Sequence, residues 1–217
     1  MGVKKELSKE QIEYIIKAYS EEFKSMSAIG KELNPSVSKT VIRRILTENN
    51  IQISSDNHKY KADYRKFKII DSVEKAYWLG FIAADGCVYT REKNSTIRIQ
   101  LSTIDKTHLE KFKKFMNANV NIANIIQTNG YASIAKPSYM SVIAFNSNDM
   151  AQDLINLGIV PNKSKLLQIP NIRSEYYLPY ILGYFDGDGS LVKFANGEYN
   201  INITGTKATI EWINQVL

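Results

Sequence analysis

Two aspartates occupy matching positions in a repeated segment, and their placement points to chemistry. Asp85 lies near the end of WLGFIAADG (residues 78–86), and Asp188 lies near the end of ILGYFDGDG (residues 181–189). The two are 103 residues apart (188 − 85), and each is followed by glycine. Paired carboxylates of this kind bind Mg²⁺ together with water and phosphate oxygens. A cation held there can activate water and stabilise the leaving oxygen, so the pattern indicates metal-dependent phosphodiester hydrolysis.

Both segments read as apolar helices that carry small residues, which allow two helix backbones to approach closely. We expect the contact to run through Gly80, Ala84, Gly183 and Gly187. The terminal glycines, Gly86 and Gly189, are expected to form left-handed helix caps. A carboxylate at a helix C-terminus is disfavoured by the helix dipole, and two such ends side by side repel each other. A divalent cation between them would relieve both effects.

After each helix the chain repeats a strand, a hairpin, a second strand that alternates apolar and polar residues, a Thr-rich turn and a helix. The alternation is clearest in IRIQLS (residues 97–102) and INIT (residues 201–204) and is typical of half-exposed strands. Arginine pairs well with guanine, and glutamine or asparagine with adenine. Candidate DNA contacts on these strands and hairpin arms are therefore Arg91, Lys93, Arg98, Gln100, Lys193, Asn200 and Asn202.

AYWLGFIAADG, PYILGYFDGDG and GIVPNKSKLLQIP (residues 158–170) together resemble the LAGLIDADG homing endonuclease family in its single-chain, two-motif form. The resemblance covers roughly residues 74–217. It implies an α+β fold of αββαββα lobes, whose saddle-shaped antiparallel sheets sit over the DNA major groove. It also implies site-specific cutting of both DNA strands, with Asp85 and Asp188 as the catalytic metal ligands and Mg²⁺ as the cofactor.

Members of that family place a lysine near the site, and Lys163 is the candidate here, with Lys165 second. Such a lysine would stabilise charge that develops on the phosphate. Motif 1 has Ala83 where many members carry a second acid, whereas motif 2 keeps Asp186. Residues 73–178 are expected to form lobe 1. Only 28 residues follow Gly189 (217 − 189), so residues 179–217 are expected to form an incomplete lobe 2.

The first 53 residues are expected to form three helices that resemble a helix-turn-helix. The first helix would start at Ser8, the second would run from Ser27 to Leu33, and the third would follow Ser38. In such a module the third helix lies in the major groove. Its polar face would contact DNA through Lys39, Thr40, Arg43 and Arg44.

Residues 54–72 are interpreted as an extended basic and aromatic linker, in which Lys61 and Arg65 would contact the DNA backbone. A solvated tether is the alternative for this segment, and a small protein-binding module is the alternative for the three helices.

The formal charge of +6 and the sequence pI of about 9.2 favour a polyanionic partner. Residues 1–70 contain 14 Lys/Arg against 9 Asp/Glu, so most of the excess is N-terminal. The single cysteine, Cys87, excludes an internal disulfide. The sequence contains no run of about 18 apolar residues, so no membrane-spanning helix is expected. We expect a cytoplasmic protein of prokaryotic, phage or organellar origin. It would be a monomer if lobe 2 is completed, and would otherwise be able to self-associate.

Three alternatives to an active endonuclease are kept: a DNA-binding regulator that does not cut, a truncated endonuclease remnant, and an RNA maturase. A regulator need not keep both aspartates, so the presence of both favours cutting.

Overall fold

The computed structural model describes residues 7–22, 24–51, 53, 60–92, 94–128 and 137–217. It divides into two compact units, residues 1–62 and residues 63–217. None of the helices in these described ranges combines the length and the apolar character that a membrane span requires.

The first unit contains three helices: α1 (Lys9–Ser20), α2 (Met26–Glu32) and α3 (Lys39–Glu48). Helix α1 begins with the expected capping box, in which Ser8 and Gln11 exchange hydrogen bonds. Helix α3 starts after Ser38, as expected. Helix α2 starts earlier than expected, because Ser25 rather than Ser27 accepts from the backbone and caps it. One apolar cluster joins the three helices, formed by Ile15, Ala18, Ile29, Leu33, Ile42, Ile45 and Leu46.

The second unit begins with a segment that packs into its core. Tyr64, Phe67 and Ile70 are all buried, and residues 64–67 form a turn. The backbone N–H of Asp63 donates to the carbonyl of Met116 at 2.9 Å. This corrects the expectation of an extended linker over residues 54–72, because the aromatic residues of its second half are core residues. Residues 54–59 lie outside the described residues.

The first repeat of this unit starts with helix α4 (Val73–Asp85), which passes directly into strand β1 (Gly86–Thr90). Strand β2 (Ser95–Ser102) and helix α5 (Lys106–Phe115) follow, then β3 (Ala123–Gln127), β4 (Ser138–Asn146) and α6 (Asn148–Asn156). The sheet is antiparallel with strand order β1-β2-β4-β3. In β2 every second residue is buried, as the alternation of IRIQLS predicts. Helices α5 and α6 pack on the buried face.

The second repeat follows the short helix α7 (Lys163–Leu166). It consists of α8 (Tyr177–Asp188), the antiparallel pair β5 (Gly189–Lys193) and β6 (Tyr199–Ile203), and α9 (Lys207–Val216). Leu191 and Ile201 are 60% and 65% exposed, whereas their equivalents in the first repeat, Val88 and Ile97, are at most 1% exposed. The second sheet therefore exposes to solvent an apolar face whose equivalent in the first sheet is buried.

The glycines after the two repeated helices correct a second expectation. Gly86 and Gly189 are extended, with φ of −78° and −95°, and are not left-handed caps. Glycine is needed there for space, because a Cβ would overlap the carbonyl oxygen of Ile82 or of Phe185 four residues earlier. Each helix therefore passes into its strand without a left-handed residue.

Candidate metal centre

Helices α4 and α8 lie side by side, and glycines allow their close approach. A Cβ on Gly80 would overlap the backbone carbonyl of Tyr180, and a Cβ on Gly183 would overlap the backbone carbonyl of Tyr77. The two contacts are equivalent, because Gly183 and Tyr180 occupy in the second repeat the positions that Gly80 and Tyr77 occupy in the first. The two helices are therefore related by a pseudo-two-fold axis.

The same packing brings the C-terminal ends of the two helices together. A Cβ on Gly187 would meet the Cβ of Ala84 and would lie 2.9 Å from Oδ2 of Asp85. The four small residues expected at the helix contact thus all lie in it. Asp85 is the last residue of α4 and Asp188 the last residue of α8, so the two carboxylates meet at one end of the helix pair.

The electrostatics of the pair match this placement. Burial, followed by the charge of Asp188, raises the pKa of Asp85 to about 6, while Lys163 acts in the opposite direction. Burial also raises the pKa of Asp188, with Lys163 and Tyr184 opposing the rise. Burial, followed by the charge of Asp188, raises the pKa of Tyr184 to about 12. The protein thus holds two carboxylates where their charged forms are disfavoured.

Lys163, at the start of α7, reaches into this site. Its ammonium group donates to the carbonyl oxygen of Ala84 in the last turn of α4. That carbonyl is one of the four that a helix leaves unpaired at its C-terminus. Burial lowers the pKa of Lys163, while Asp188 and Asp85 raise it. Lys165, the second candidate, is exposed.

The two carboxylates suit a divalent cation that takes its remaining ligands from elsewhere. Among the described residues there is no cluster of three or more His, Cys, Asp or Glu side chains able to hold a metal. Mg²⁺ commonly binds through one or two carboxylates plus water and phosphate oxygens. The donor set of Asp85 and Asp188 therefore fits magnesium that is bound together with a phosphodiester.

The face of the first sheet opposite α5 and α6, here called the open face, carries polar side chains that form hydrogen bonds with one another. Arg98 Nη2 donates to Oε1 of Gln100 at 2.5 Å, and Gln100 Nε2 donates to Oε1 of Gln127 at 2.8 Å. Thr96 donates to Asn146 at 2.8 Å on the same face. Arg98 and Gln100 were expected there. Gln127 was not, because β3 shows no clear alternation in its sequence.

The remaining candidate DNA contacts are mostly exposed. Lys39, Thr40, Arg43 and Arg44 are exposed along α3, and Arg44 forms an ion pair with Glu48 at 3.6 Å. Lys93 lies outside the described residues. In the rest of the described chain Arg65 is half-buried, and the exposed candidates are Lys61, Arg91, Lys193, Asn200 and Asn202.

Sequence reasoning missed one cluster of polar side chains that crosses the helix pair. The hydroxyl of Tyr77 donates to Asp186 and lies against the ring of His108. The three residues are far apart in the chain, and no local pattern links them.

A comparison with known protein families matches the first of the two repeats. Residues 72–163 match the sequence model of the LAGLIDADG-like domain. This match covers α4, the whole first sheet and the start of α7, and motif 2 lies beyond it in α8. Residues 72–163 of the chain therefore resemble a LAGLIDADG-like domain.

One relative is a protein of Methanocaldococcus jannaschii that is described as uncharacterized. It is 27% identical over 164 residues, which cover 73% of this chain and 57% of that protein. The chain therefore spans a little over half the length of that relative.

Among solved structures, a variant of I-DmoI in complex with its nicked target DNA overlaps 71% of this chain and 76% of its own. The TM-score is 0.39 and the identity 15%. The meganuclease I-SmaMI bound to uncleavable DNA overlaps 65% of this chain and 70% of its own, with a TM-score of 0.35 and 13% identity.

Proposed function

We propose that this chain is a site-specific DNA endonuclease that hydrolyses phosphodiesters with Mg²⁺ held by Asp85 and Asp188. The observation that carries the proposal is the pair of carboxylates at the joined ends of α4 and α8. Burial raises the pKa of both carboxyl groups, and the charge of Asp188 adds to the rise at Asp85, which is a cost to the folded state unless a cation is bound. A bound divalent metal would lower the pKa of its water and offset charge on the leaving oxygen.

Lys163 is proposed to act beside the pair. Its ammonium group is anchored on the Ala84 carbonyl and lies within electrostatic reach of both aspartates. From there it would offset negative charge that builds up on the phosphate during hydrolysis. It also satisfies a carbonyl at the end of α4, so the same side chain would hold the helix end that carries Asp85.

DNA would lie across the open face of the first sheet. The hydrogen-bonded row of Arg98, Gln100 and Gln127 presents guanidinium and amide groups, which are the groups that read base edges in the major groove. In the second sheet Asn200 and Asn202, which occupy the positions of Thr96 and Arg98, are exposed on β6. We propose that these strands supply sequence specificity.

The first unit is proposed to be a helix-turn-helix that adds a second DNA contact. Its apolar cluster leaves Lys39, Thr40, Arg43 and Arg44 exposed along α3. A recognition helix needs such a face, because base edges and phosphates are contacted by its polar side chains. A protein-binding module would not need this basic face.

The function is tested in two stages. First, DNA duplexes that the full chain retains in Ca²⁺ are selected from a randomised library. The selected duplexes are then incubated with the chain in Mg²⁺, and products are resolved on denaturing gels. We expect cleavage of both strands by the native chain and a loss of at least 100-fold in Asp85→Asn and Asp188→Asn.

The control is Glu74→Gln, an exposed substitution at the opposite end of α4, which should cut like the native chain. Cleavage that survives both aspartate substitutions would overturn the catalytic assignment. Binding without cutting in Mg²⁺ or Mn²⁺ would favour a DNA-binding regulator, and selective binding of RNA over DNA would favour a maturase.

A further inference from the structure

A chain of hydrogen bonds ties three helices together next to the carboxylate pair. The hydroxyl of Tyr77, in α4, donates to Oδ2 of Asp186, in α8, at 2.6 Å. The same hydroxyl oxygen lies 3.2 Å from Nε2 of His108, in α5. Since a tyrosine hydroxyl has one hydrogen and here donates it to the carboxylate, the histidine must be the donor in the second contact. The bonds therefore run from His108 through Tyr77 to Asp186.

Packing holds the histidine in place. Its ring lies 4.4 Å from the ring of Phe81 and 5.0 Å from the ring of Trp78, measured between centroids. Tyr77 packs edge-on against Trp78 as well. Burial, followed by the charge of Lys111, lowers the pKa of His108, which agrees with a neutral ring at pH 7–8. A neutral ring has one N–H, and the contact with Tyr77 assigns it to Nε2.

The bond chain breaks the pseudo-two-fold symmetry of the site. Tyr180 is the repeat equivalent of Tyr77, but the equivalent of Asp186 is Ala83, which has no acceptor. Among the described residues, the bond from Tyr77 to Asp186 therefore has no counterpart at the equivalent pair, Tyr180 and Ala83. Asp186 lies in the last turn of α8, two residues before Asp188, so the bond acts on the turn that aims one of the two carboxylates.

We propose that Tyr77 is a positioning residue, which fixes the last turn of α8 through Asp186 and thereby sets the direction of Asp188 independently of Asp85. The inference rests on the proposed function for its effect on cleavage. A pseudo-symmetric site on a duplex, whose strands are themselves related by a two-fold axis, gives each aspartate one nearer scissile phosphate. Loss of the bond would therefore slow the cutting of one strand more than that of the other.

The first test needs no cleavage. Hydrogen exchange of residues 185–190 is measured in the metal-free full chain. We expect exchange roughly three- to tenfold faster in Tyr77→Phe and in Asp186→Ala, from loss of one side-chain hydrogen bond. Asp186→Asn keeps an acceptor oxygen for the hydroxyl and should exchange like the native chain. Tyr180→Phe is the matched control, because it removes the equivalent hydroxyl without a carboxylate opposite it.

The second test measures the two strands separately, on selected duplexes that carry a different fluorophore on each strand. Tyr77→Phe and Asp186→Ala should each slow the cutting of one strand about three- to tenfold more than that of the other, and the double variant should add little. Asp186→Asn should restore the native ratio.

Equal slowing of both strands, or an Asp186→Asn variant as impaired as Asp186→Ala, would overturn the positioning role. Unchanged exchange in Tyr77→Phe would overturn it as well, whether or not the chain cuts DNA. A native chain that fails to cut would instead count against the proposed function, and the exchange measurement would still decide the role of Tyr77.

Discussion

Replacing Asp85 by asparagine should stabilise the metal-free protein at neutral pH. The pKa of Asp85 is raised from 3.8 to about 6, by burial and by Asp188. A carboxylate whose pKa is higher in the folded state stabilises the fold when protonated, and this contribution is lost as the pH rises through the folded value. At pH 8 the charged form therefore weakens the fold, and the uncharged asparagine does not.

The size of the effect follows from the shift. About two pKa units correspond to about 3 kcal/mol, and we halve this to roughly 1.5 kcal/mol because Asp85 is only partly buried and solvent screens its charge. For a unit of about 150 residues this raises the melting temperature by roughly 3–5 °C. Asp188→Asn should act in the same direction, since its pKa is raised too.

The assay is thermal unfolding in EDTA, from pH 4 to pH 8, of the native chain, Asp85→Asn and the exposed control Glu74→Gln. The advantage of Asp85→Asn should be largest above pH 7 and should vanish below about pH 4, where the native carboxyl is protonated. The control should stay within about 0.5 kcal/mol of the native chain. A melting temperature that falls in Asp85→Asn at pH 8, or a difference that does not change with pH, would contradict a raised pKa of Asp85 in the folded protein.

Three further outcomes follow from the packing and charge of the site. Gly183→Val should destabilise the second unit by more than about 3 kcal/mol, because its Cβ would overlap the Tyr77 carbonyl. Urea denaturation would measure the loss, and a native-like midpoint would contradict the close helix contact. Lys163→Met should lower the single-turnover cleavage rate at least tenfold and leave the dissociation constant in Ca²⁺ within threefold of native, and an equal loss in both would point to a binding role. Replacing Arg43 and Arg44 together by glutamine should lower the salt dependence of DNA binding by about two units of slope, and an unchanged slope would exclude a phosphate contact by α3.

The internal repeat allowed the site to be predicted from the sequence. Two copies of one motif in the same register predicted the helix pair, its four small contact residues and the meeting of Asp85 with Asp188. The alternation of β2 predicted which of its residues, Arg98 and Gln100, lie on the open face. The lysine came from the family resemblance alone, since nothing around Lys163 marks it locally.

Other features depend on contacts that local patterns do not encode. The bond between Tyr77 and Asp186 joins residues on two helices far apart in the chain, and His108 comes from a third helix. The extended conformation of Gly86 follows from the direct passage of α4 into β1, whereas the sequence suggested a helix stop. The burial of Phe67 depends on the core of the second unit, and so a basic segment was mistaken for a linker.

Metal binding by the two aspartates is tested most directly by the change in melting temperature of the full chain on adding Mg²⁺ or Mn²⁺. We expect a rise that grows with metal concentration, because the metal binds the folded state. The rise should disappear when Asp85 and Asp188 are both replaced by asparagine and should persist in Glu74→Gln. A rise of equal size in the double variant would contradict a metal site between these helices.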